Sequence, residues 1–124
     1  MILVDTSVWI DHLRQGDAKL QALLNASQVL IHPFVIGELA LGNLQQREVI
    51  LNALRNLPPA SVATEDEVLR FIDQESLYGV GIGYIDAHLL AALRLSPGST
   101  LWTRDKRLLA AATRLGLSTS QTHG

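Results

Sequence analysis

The sequence predicts a single α/β domain in which helices flank a short-stranded, mostly parallel central sheet. Short apolar runs alternate with segments of helical periodicity along the chain, which is typical of strand–helix–strand units. Hydrophobic residues make up 48% of the sequence and aromatic residues only 5%, as expected for an aliphatic, alanine-rich core. The 124 residues fit one domain, 1–124, and leave no room for a second of ordinary size.

The first half of the chain predicts two strands and four helices. The run Ile2-Leu3-Val4 is apolar without alternation, which indicates a strand covered on both faces. Pro33 suits the first position of a helix, because that position needs no backbone N–H. The elements expected here are a strand at 2–4, a helix from a Thr6 or Ser7 cap to about Arg14, a helix at 17–25, a strand at 28–31, a helix from Pro33 to near Gly42 and Asn43, and a helix at 45–56.

The second half continues the alternation of strands and helices. Val62 and Ala63 predict a third strand, and Thr64 with Glu67 three residues later is a capping-box pattern for a helix to about Tyr78. The remaining expected elements are a loop at 79–83, a helix at 84–95, a break at 96–98, a strand from Thr100 to Thr103, a helix at 105–115 with Gly116 beyond its end, and an edge strand from Leu117 to Ser120.

The composition excludes several classes of protein. The chain has no cysteine, which rules out disulfides and thiolate metal sites and favours an intracellular, cytoplasmic protein. We find neither a signal peptide nor an apolar run of the roughly 20 residues that span a bilayer, so no membrane association is expected. The net charge of −2 argues against a passive, high-affinity nucleic-acid-binding module. It does not argue against an enzyme whose acids hold metal ions.

Most of the 12 acidic residues fit solvated helix faces or helix starts, but four lie in unexpectedly apolar surroundings. Asp5 follows the first buried strand, and Asp105 follows the strand that contains the sequence TLWT. Glu38 lies within the apolar helix HPFVIGELALG, and Asp86 within GIGYIDAHLLAAL, each with mainly apolar residues on its own helical face. The carboxyl ends of parallel strands are where ligands bind in α/β sheets, so these acids predict a functional site.

Four converging carboxylates would repel one another unless a divalent cation lies among them. Oxygen ligands without a histidine or cysteine cluster select Mg²⁺ or Mn²⁺. The hydroxyls of Ser7 and Thr103 could orient the carboxylates or bind metal-bound waters. Each acid also has a structural explanation, since Asp5 could cap the first helix and Asp86 or Asp105 could favour a helix dipole. Glu38 fits such an explanation least well.

Two other groups of residues point away from a site. The histidines have no ligand-like spacing, which favours surface or structural roles; they are His12, His32, His88 and His123. The glycine-rich segment GVGIG lacks both the strand–GxGxxG–helix context and a Walker lysine, so we reject nucleotide binding there.

Four segments together give the chain a family resemblance. They are ILVDTSVWIDHLR, HPFVIGELALGNL, LYGVGIGYIDAHLLAAL and LWTRDKRLLAAATRLGL. In this order and spacing the chain resembles the PIN-domain ribonucleases, and within them the VapC toxins of bacterial toxin–antitoxin pairs, over nearly its whole length. The resemblance implies a PIN-like three-layer sandwich. It places the acidic quartet of the family on Asp5, Glu38, Asp86 and Asp105, and the hydroxyl positions of the family on Ser7, or its neighbour Thr6, and on Thr103.

The resemblance also implies an activity and partners. The activity is a divalent-metal-dependent endoribonuclease with Asp5, Asp86 and Asp105 as direct ligands of Mg²⁺ or Mn²⁺ and Glu38 bound directly or through water. The basic residues that could hold the RNA backbone are Arg104, Lys106, Arg107 and Arg14. A cognate VapB-like antitoxin would block the site, and a homodimer would bury part of the helices at 33–56.

Three alternatives differ in class. A phospho-receiver domain needs a phosphoacceptor aspartate after a central strand, and the segment ASVAT at 60–64 offers none. A binding-only PIN-like module would lack one of the four acids, and all four are present. A metal-dependent DNA nuclease is the nearest enzymatic alternative, because the same acids hydrolyse either backbone.

Overall fold

The architecture is a three-stranded parallel sheet flanked by helices. The computed structural model describes residues 1–119. The strands are β1 (Ile2–Val4), β2 (Val29–Leu30) and β3 (Thr100–Trp102). The helices in this part of the chain are α1 (Thr6–Gln15), α2 (Ala18–Asn25), α3 (Pro33–Ala40), α4 (Arg47–Arg55), α5 (Glu65–Gln74), α6 (Tyr84–Arg94) and α7 (Lys106–Arg114).

Strand β1 lies at the centre of the sheet, in the order β2-β1-β3, and pairs in parallel with both neighbours. Leu3 is opposite Leu30 on one side and Leu101 on the other, and Val4 is opposite Trp102. Parallel pairing brings the carboxyl ends of the strands to one edge of the sheet. The expected short-stranded parallel sheet is therefore confirmed, and Asp5 and Thr103 leave it side by side.

The core is aliphatic, as the composition predicts. Helix α6 is the most deeply packed element, since every residue from 87 to 93 is buried. It contacts α5 on one side and β3 on the other. None of the helices in residues 1–119 has the length and apolarity needed to cross a membrane.

Helix α3 begins as the sequence predicts, with Pro33 in its first turn, but its cap is a histidine. His32 is fully buried, and its Nδ1 accepts a hydrogen bond of 3.0 Å from the backbone N–H of Phe34. The His32 and Phe34 rings meet edge to face, and the His88 ring packs against Phe34 in the same way. His32 and His88 are thus buried structural residues. His123, predicted to be structural or exposed, lies outside the described residues.

Burial of the His32 cap makes stability depend on pH. Burial, reinforced by the nearby His88, lowers the pKa of His32 from its ordinary 6.5 to about 4. Between these values the unfolded chain binds a proton that the folded chain rejects, so stability is lost as the pH falls. The variant His32→Asn keeps a capping acceptor but has no group that titrates in this range. We expect its free energy of unfolding to fall by about 2 kcal/mol less than that of the wild type when the pH is lowered from 7 to 4.5. Urea unfolding at both pH values measures this difference, and equal losses in the two proteins would contradict it.

One predicted strand is wrong. Val62 and Ala63 form no strand, and the Val62 side chain is 52% exposed, so little burial would drive pairing there. The residue that pairs beyond the second strand comes before Val62 in the chain. Ile31 pairs with Pro59 in an isolated parallel bridge, and the N–H of Ala60 donates to the carbonyl of Ile31 at 2.8 Å. This bridge continues the edge beyond β2.

Several predicted boundaries shift. Helix α1 is capped by Asp5 and not by Thr6 or Ser7, because Asp5 has extended backbone angles while Thr6 and Ser7 are already helical. Helix α5 ends at Gln74 and not near Tyr78; Ser76, just beyond it, has a φ of 52° that a helix cannot continue through. The expected edge strand at 117–120 is reduced to a bridge between Ser118 and Leu101, and Ser120 lies outside the described residues.

Candidate active site

The four acids come from four elements whose ends meet above the sheet. Asp5 directly follows β1 and Asp105 lies three residues after β3 ends, so both leave neighbouring parallel strands. Asp86 lies in the first turn of α6, which contacts β3. Glu38 lies in α3, which contacts α1. The topology thus brings the predicted residues to the edge of the sheet where α/β folds bind ligands.

Asp5 is the most firmly held of the four. It is 6% exposed, and its Oδ2 accepts hydrogen bonds from the Ser7 hydroxyl at 2.6 Å and the Thr103 hydroxyl at 2.8 Å. Each hydroxyl in turn accepts from a backbone N–H at 3.0 Å, Ser7 from Arg104 and Thr103 from Asp105. These bonds use one carboxylate oxygen and fix the rotamer of Asp5, which agrees with the orienting role predicted for both hydroxyls.

Glu38 has a hydroxyl partner of its own. Its Oε1 accepts a hydrogen bond of 2.6 Å from Thr6 Oγ1. The sequence left open whether Thr6 or Ser7 was the relevant hydroxyl, and the structure gives the two residues different tasks: Thr6 holds Glu38, and Ser7 holds Asp5. Successive residues of α1 therefore serve two acids, because they point in different directions around the helix.

Asp86 and Asp105 each accept a hydrogen bond from a backbone N–H at the start of a helix. Asp86 Oδ2 accepts from the Gly83 N–H at 3.1 Å, at the end of the glycine-rich loop. Asp105 Oδ1 accepts from the Leu108 N–H at 2.9 Å and so caps α7. The capping explanation and the functional one are compatible here, since in each carboxylate the capping bond engages only one of the two oxygens.

Asp86 responds electrostatically to the other three carboxylates. Burial raises the pKa of Asp86, a hydrogen bond from Gly83 opposes this rise, and the negative charges of Asp5, Asp105 and Glu38 add to it. Within residues 1–119, no three histidine, aspartate or glutamate side chains stand close enough to form a ready-made metal site. The quartet is thus an open cluster of oxygen donors. Its chemistry, with carboxylates and hydroxyls and no nitrogen or sulfur donor, fits Mg²⁺ or Mn²⁺.

Of the four acids, Glu38 lines a cleft. A cavity of about 420 Å³ lies between α1, α3 and the start of α4, with Glu38 at its edge. Its wall is mainly aliphatic, with Leu13 and Ile50 among the lining residues, and Arg14 adds a positive charge. A segment of another molecule bound in this cleft would lie against Glu38.

The basic residues predicted to meet RNA differ in their surroundings. Arg104 forms salt bridges with Asp11 and Asp17. Arg107 lies across Gly81, where a Cβ atom would come within 2.8 Å of its Cδ. Gly81 also has a φ of 88°, a backbone conformation that favours glycine, and a Cβ there would displace the Arg107 side chain. Lys106 is exposed at the start of α7.

Comparison with known proteins agrees with this geometry. The family model described as "PIN domain" matches residues 2–114. The chain belongs to the PIN-domain family. Two curated relatives are each 51% identical to it over 121 residues. Both are named "Ribonuclease VapC32" and come from two strains of Mycobacterium tuberculosis, CDC 1551 / Oshkosh and ATCC 25618 / H37Rv. The match covers 98% of this chain and 98% of each relative. Within the PIN-domain family, this chain is of the VapC type, which excludes a phospho-receiver domain.

Sequence reasoning missed three contacts that shape this PIN-domain site. They are the capping bond from Gly83 to Asp86, the packing of Arg107 on Gly81, and the ion pairs of Arg104. The segment GVGIG carried a signal for the first two, because repeated glycines indicate close backbone approach. The ion pairs of Arg104 join residues separated by 93 and 87 positions, and no local pattern indicates them.

Proposed function

We propose that this chain is the toxin of a cytoplasmic toxin–antitoxin pair and a divalent-metal-dependent endoribonuclease that hydrolyses RNA phosphodiester bonds and so arrests translation and growth. The observation that carries the proposal is the set of four carboxylates at one edge of the sheet, three of which add to the raised pKa of the fourth, Asp86, in a chain similar to proteins named as ribonucleases. A divalent cation among these oxygens would offset the repulsion between like charges.

The side chains divide the work as follows. Asp5, Asp86 and Asp105 would bind Mg²⁺ or Mn²⁺ directly, and Glu38 directly or through water. The chemistry that a divalent ion supplies at such a site is activation of water and neutralisation of phosphate charge. Ser7 and Thr103 hold Asp5 in one orientation by donating to Oδ2.

The basic side chains around the cluster would position the RNA backbone. Arg107 and Lys106 follow Asp105 on α7, and Arg14 borders the cleft beside Glu38. Contacts of this type fix the register of a nucleic acid without reading its sequence. In-line attack by water would leave a 5′-phosphate and a 3′-hydroxyl on the products.

The partners follow from the same surfaces. We propose that a VapB-like antitoxin lays an apolar segment into the cleft between α1, α3 and α4 and so covers Glu38. We also propose a homodimer that buries part of the surface of α3 and α4. Leu41, at the end of α3, is 90% exposed, and Val49 on α4 is 62% exposed. The proposed dimer would cover these two apolar side chains.

The test is cleavage of total RNA by purified protein freed of its partner, in Mg²⁺, Mn²⁺ or EDTA. We expect cutting with either ion, none in EDTA, and recovery when Mn²⁺ is added back to the EDTA sample. Products should accept a 3′ adaptor without phosphatase treatment, which reports a 3′-hydroxyl. Single-stranded DNA of matched sequence is the control substrate. Cutting of DNA in preference to RNA would favour a DNA nuclease, and Mn²⁺ binding without any cutting would favour a binding-only module.

A further inference from the structure

We infer that Arg104 is a positioning residue, whose guanidinium holds the segment between β3 and α7 and thereby the Asp5 and Asp105 carboxylates, and does not contact RNA. The inference rests on the proposed function and adds a residue to it. It concerns the connector 103–105, which has no regular secondary structure and yet contains both Thr103 and Asp105.

The guanidinium of Arg104 is held from two directions. Nη1 donates to Asp11 Oδ2 on α1, and Nη2 donates to Asp17 Oδ2 at 2.6 Å, just before α2. Asp17 is itself fixed, because its Oδ1 caps α2 by accepting from Leu20 N–H at 3.0 Å and its own N–H donates to His12 Nδ1 at 3.0 Å. A planar guanidinium with a fixed fork of donors suits such a double contact, whereas a lysine ammonium is a point charge.

The backbone of Arg104 continues the connection toward the site. Its N–H donates to Ser7 Oγ at 3.0 Å, and Ser7 Oγ donates to Asp5 Oδ2 at 2.6 Å. On either side of Arg104, Thr103 donates to the same oxygen of Asp5 and Asp105 caps α7. The Arg104 side chain therefore fixes the connector 103–105. This connector orients one predicted metal ligand, Asp5, and contains another, Asp105.

The charge around Arg104 argues against an RNA contact. Its positive charge is shared between two carboxylates, so a phosphate would have to compete with Asp11 and Asp17. In the part of the chain that the structure describes, neither Lys106 nor Arg107 takes part in a salt bridge. Of the basic residues predicted near RNA on this side of the site, Lys106 and Arg107 are available to phosphates and Arg104 is committed to the protein.

The test uses Arg104→Gln, Arg104→Lys, Asp11→Asn and the double variant of Arg104→Gln with Asp11→Asn, with Mn²⁺ affinity measured by calorimetry in the absence of RNA. Outer residues that orient metal ligands typically contribute ten- to a hundredfold in affinity. We expect Arg104→Gln to weaken Mn²⁺ binding about tenfold, Arg104→Lys and Asp11→Asn to weaken it less, and the double variant to bind as Arg104→Gln does. This non-additivity follows because both substitutions remove the same ion pair. At saturating metal, kcat should fall while KM for RNA stays the same.

A metal-free measurement keeps the inference separate from the proposed metal site. Amide hydrogen exchange at Asp105 and Leu108 should accelerate about tenfold in Arg104→Gln, since both amides are bonded within the connector and the cap it leads to. Arg55→Gln removes a positive charge on α4 and should change none of these quantities. Unchanged exchange, or unchanged Mn²⁺ affinity together with weaker RNA binding, would overturn the inference. Absence of Mn²⁺ binding in the wild type would count against the proposed function and leave the exchange test decisive for Arg104.

Discussion

Asp5→Asn is expected to lower the rate of RNA cleavage by about a thousandfold, the scale on which single preorganised electrostatic groups act in enzymes. The substitution removes a negative charge from the centre of the quartet. It keeps an oxygen that can accept hydrogen bonds from Ser7 and Thr103, so the fold and the first turn of α1 should survive. The loss therefore measures the charge and not the packing of the site.

The matched control is Asp73→Asn, which removes the same charge from an exposed position on α5. Initial rates on a defined RNA in Mg²⁺ should be unchanged in this variant. Calorimetry with Mn²⁺ on both proteins adds a second readout, in which only Asp5→Asn should lose binding. Cleavage by Asp5→Asn at more than a tenth of the wild-type rate would exclude Asp5 as a metal ligand.

Leu101→Ala is expected to lower the free energy of unfolding by about 3 kcal/mol, within the range measured for leucines truncated in cores. Leu101 is fully buried in β3 opposite Leu3, and its backbone also pairs with the chain at 117–119. Truncation leaves a cavity under the sheet that these well-packed neighbours cannot fill. Urea unfolding measures the change as a lower midpoint with an unchanged slope.

Leu41→Ala is the matched control for that variant. The same atoms are removed from a side chain that is 90% exposed, so the change in unfolding free energy should stay within about 0.5 kcal/mol. A large loss in Leu41→Ala alone would mean that Leu41 is buried in solution, as in the proposed homodimer. Equal losses in the two variants would contradict the core described here.

Much of the fold was predictable because local signals and burial agree. The run of residues 2–4, Pro33 and the capping box of Thr64 and Glu67 all form the elements that they predict. The strand expected at Val62 and Ala63 is wrong for the opposite reason. Two apolar residues satisfy a local pattern, but neighbouring structure offers Val62 no surface to cover it, and the pairing goes to Pro59 instead.

The acids of the candidate site were predictable from the mismatch between charge and surroundings. A carboxylate within an apolar helix, as at Glu38, needs an explanation that a surface residue does not. The hydroxyl contacts that hold Asp5 and Glu38 were not predictable, because they depend on how α1 is rotated against α3 and β3. Only the structure shows that Thr6 serves Glu38 while Ser7 serves Asp5.

The central position of β1 has a consequence for synthesis of the protein. Asp5 is made near the start of the chain, but the Thr103 hydroxyl that orients it is 98 residues away. Strand β1 gains its second neighbour only when β3 emerges, and contacts of such long range form late in folding. A ribosome that carries a partly made chain therefore holds an Asp5 carboxylate that Thr103 does not yet orient. The arrangement of Asp5 with Thr103 is therefore complete only when nearly the whole domain has been made.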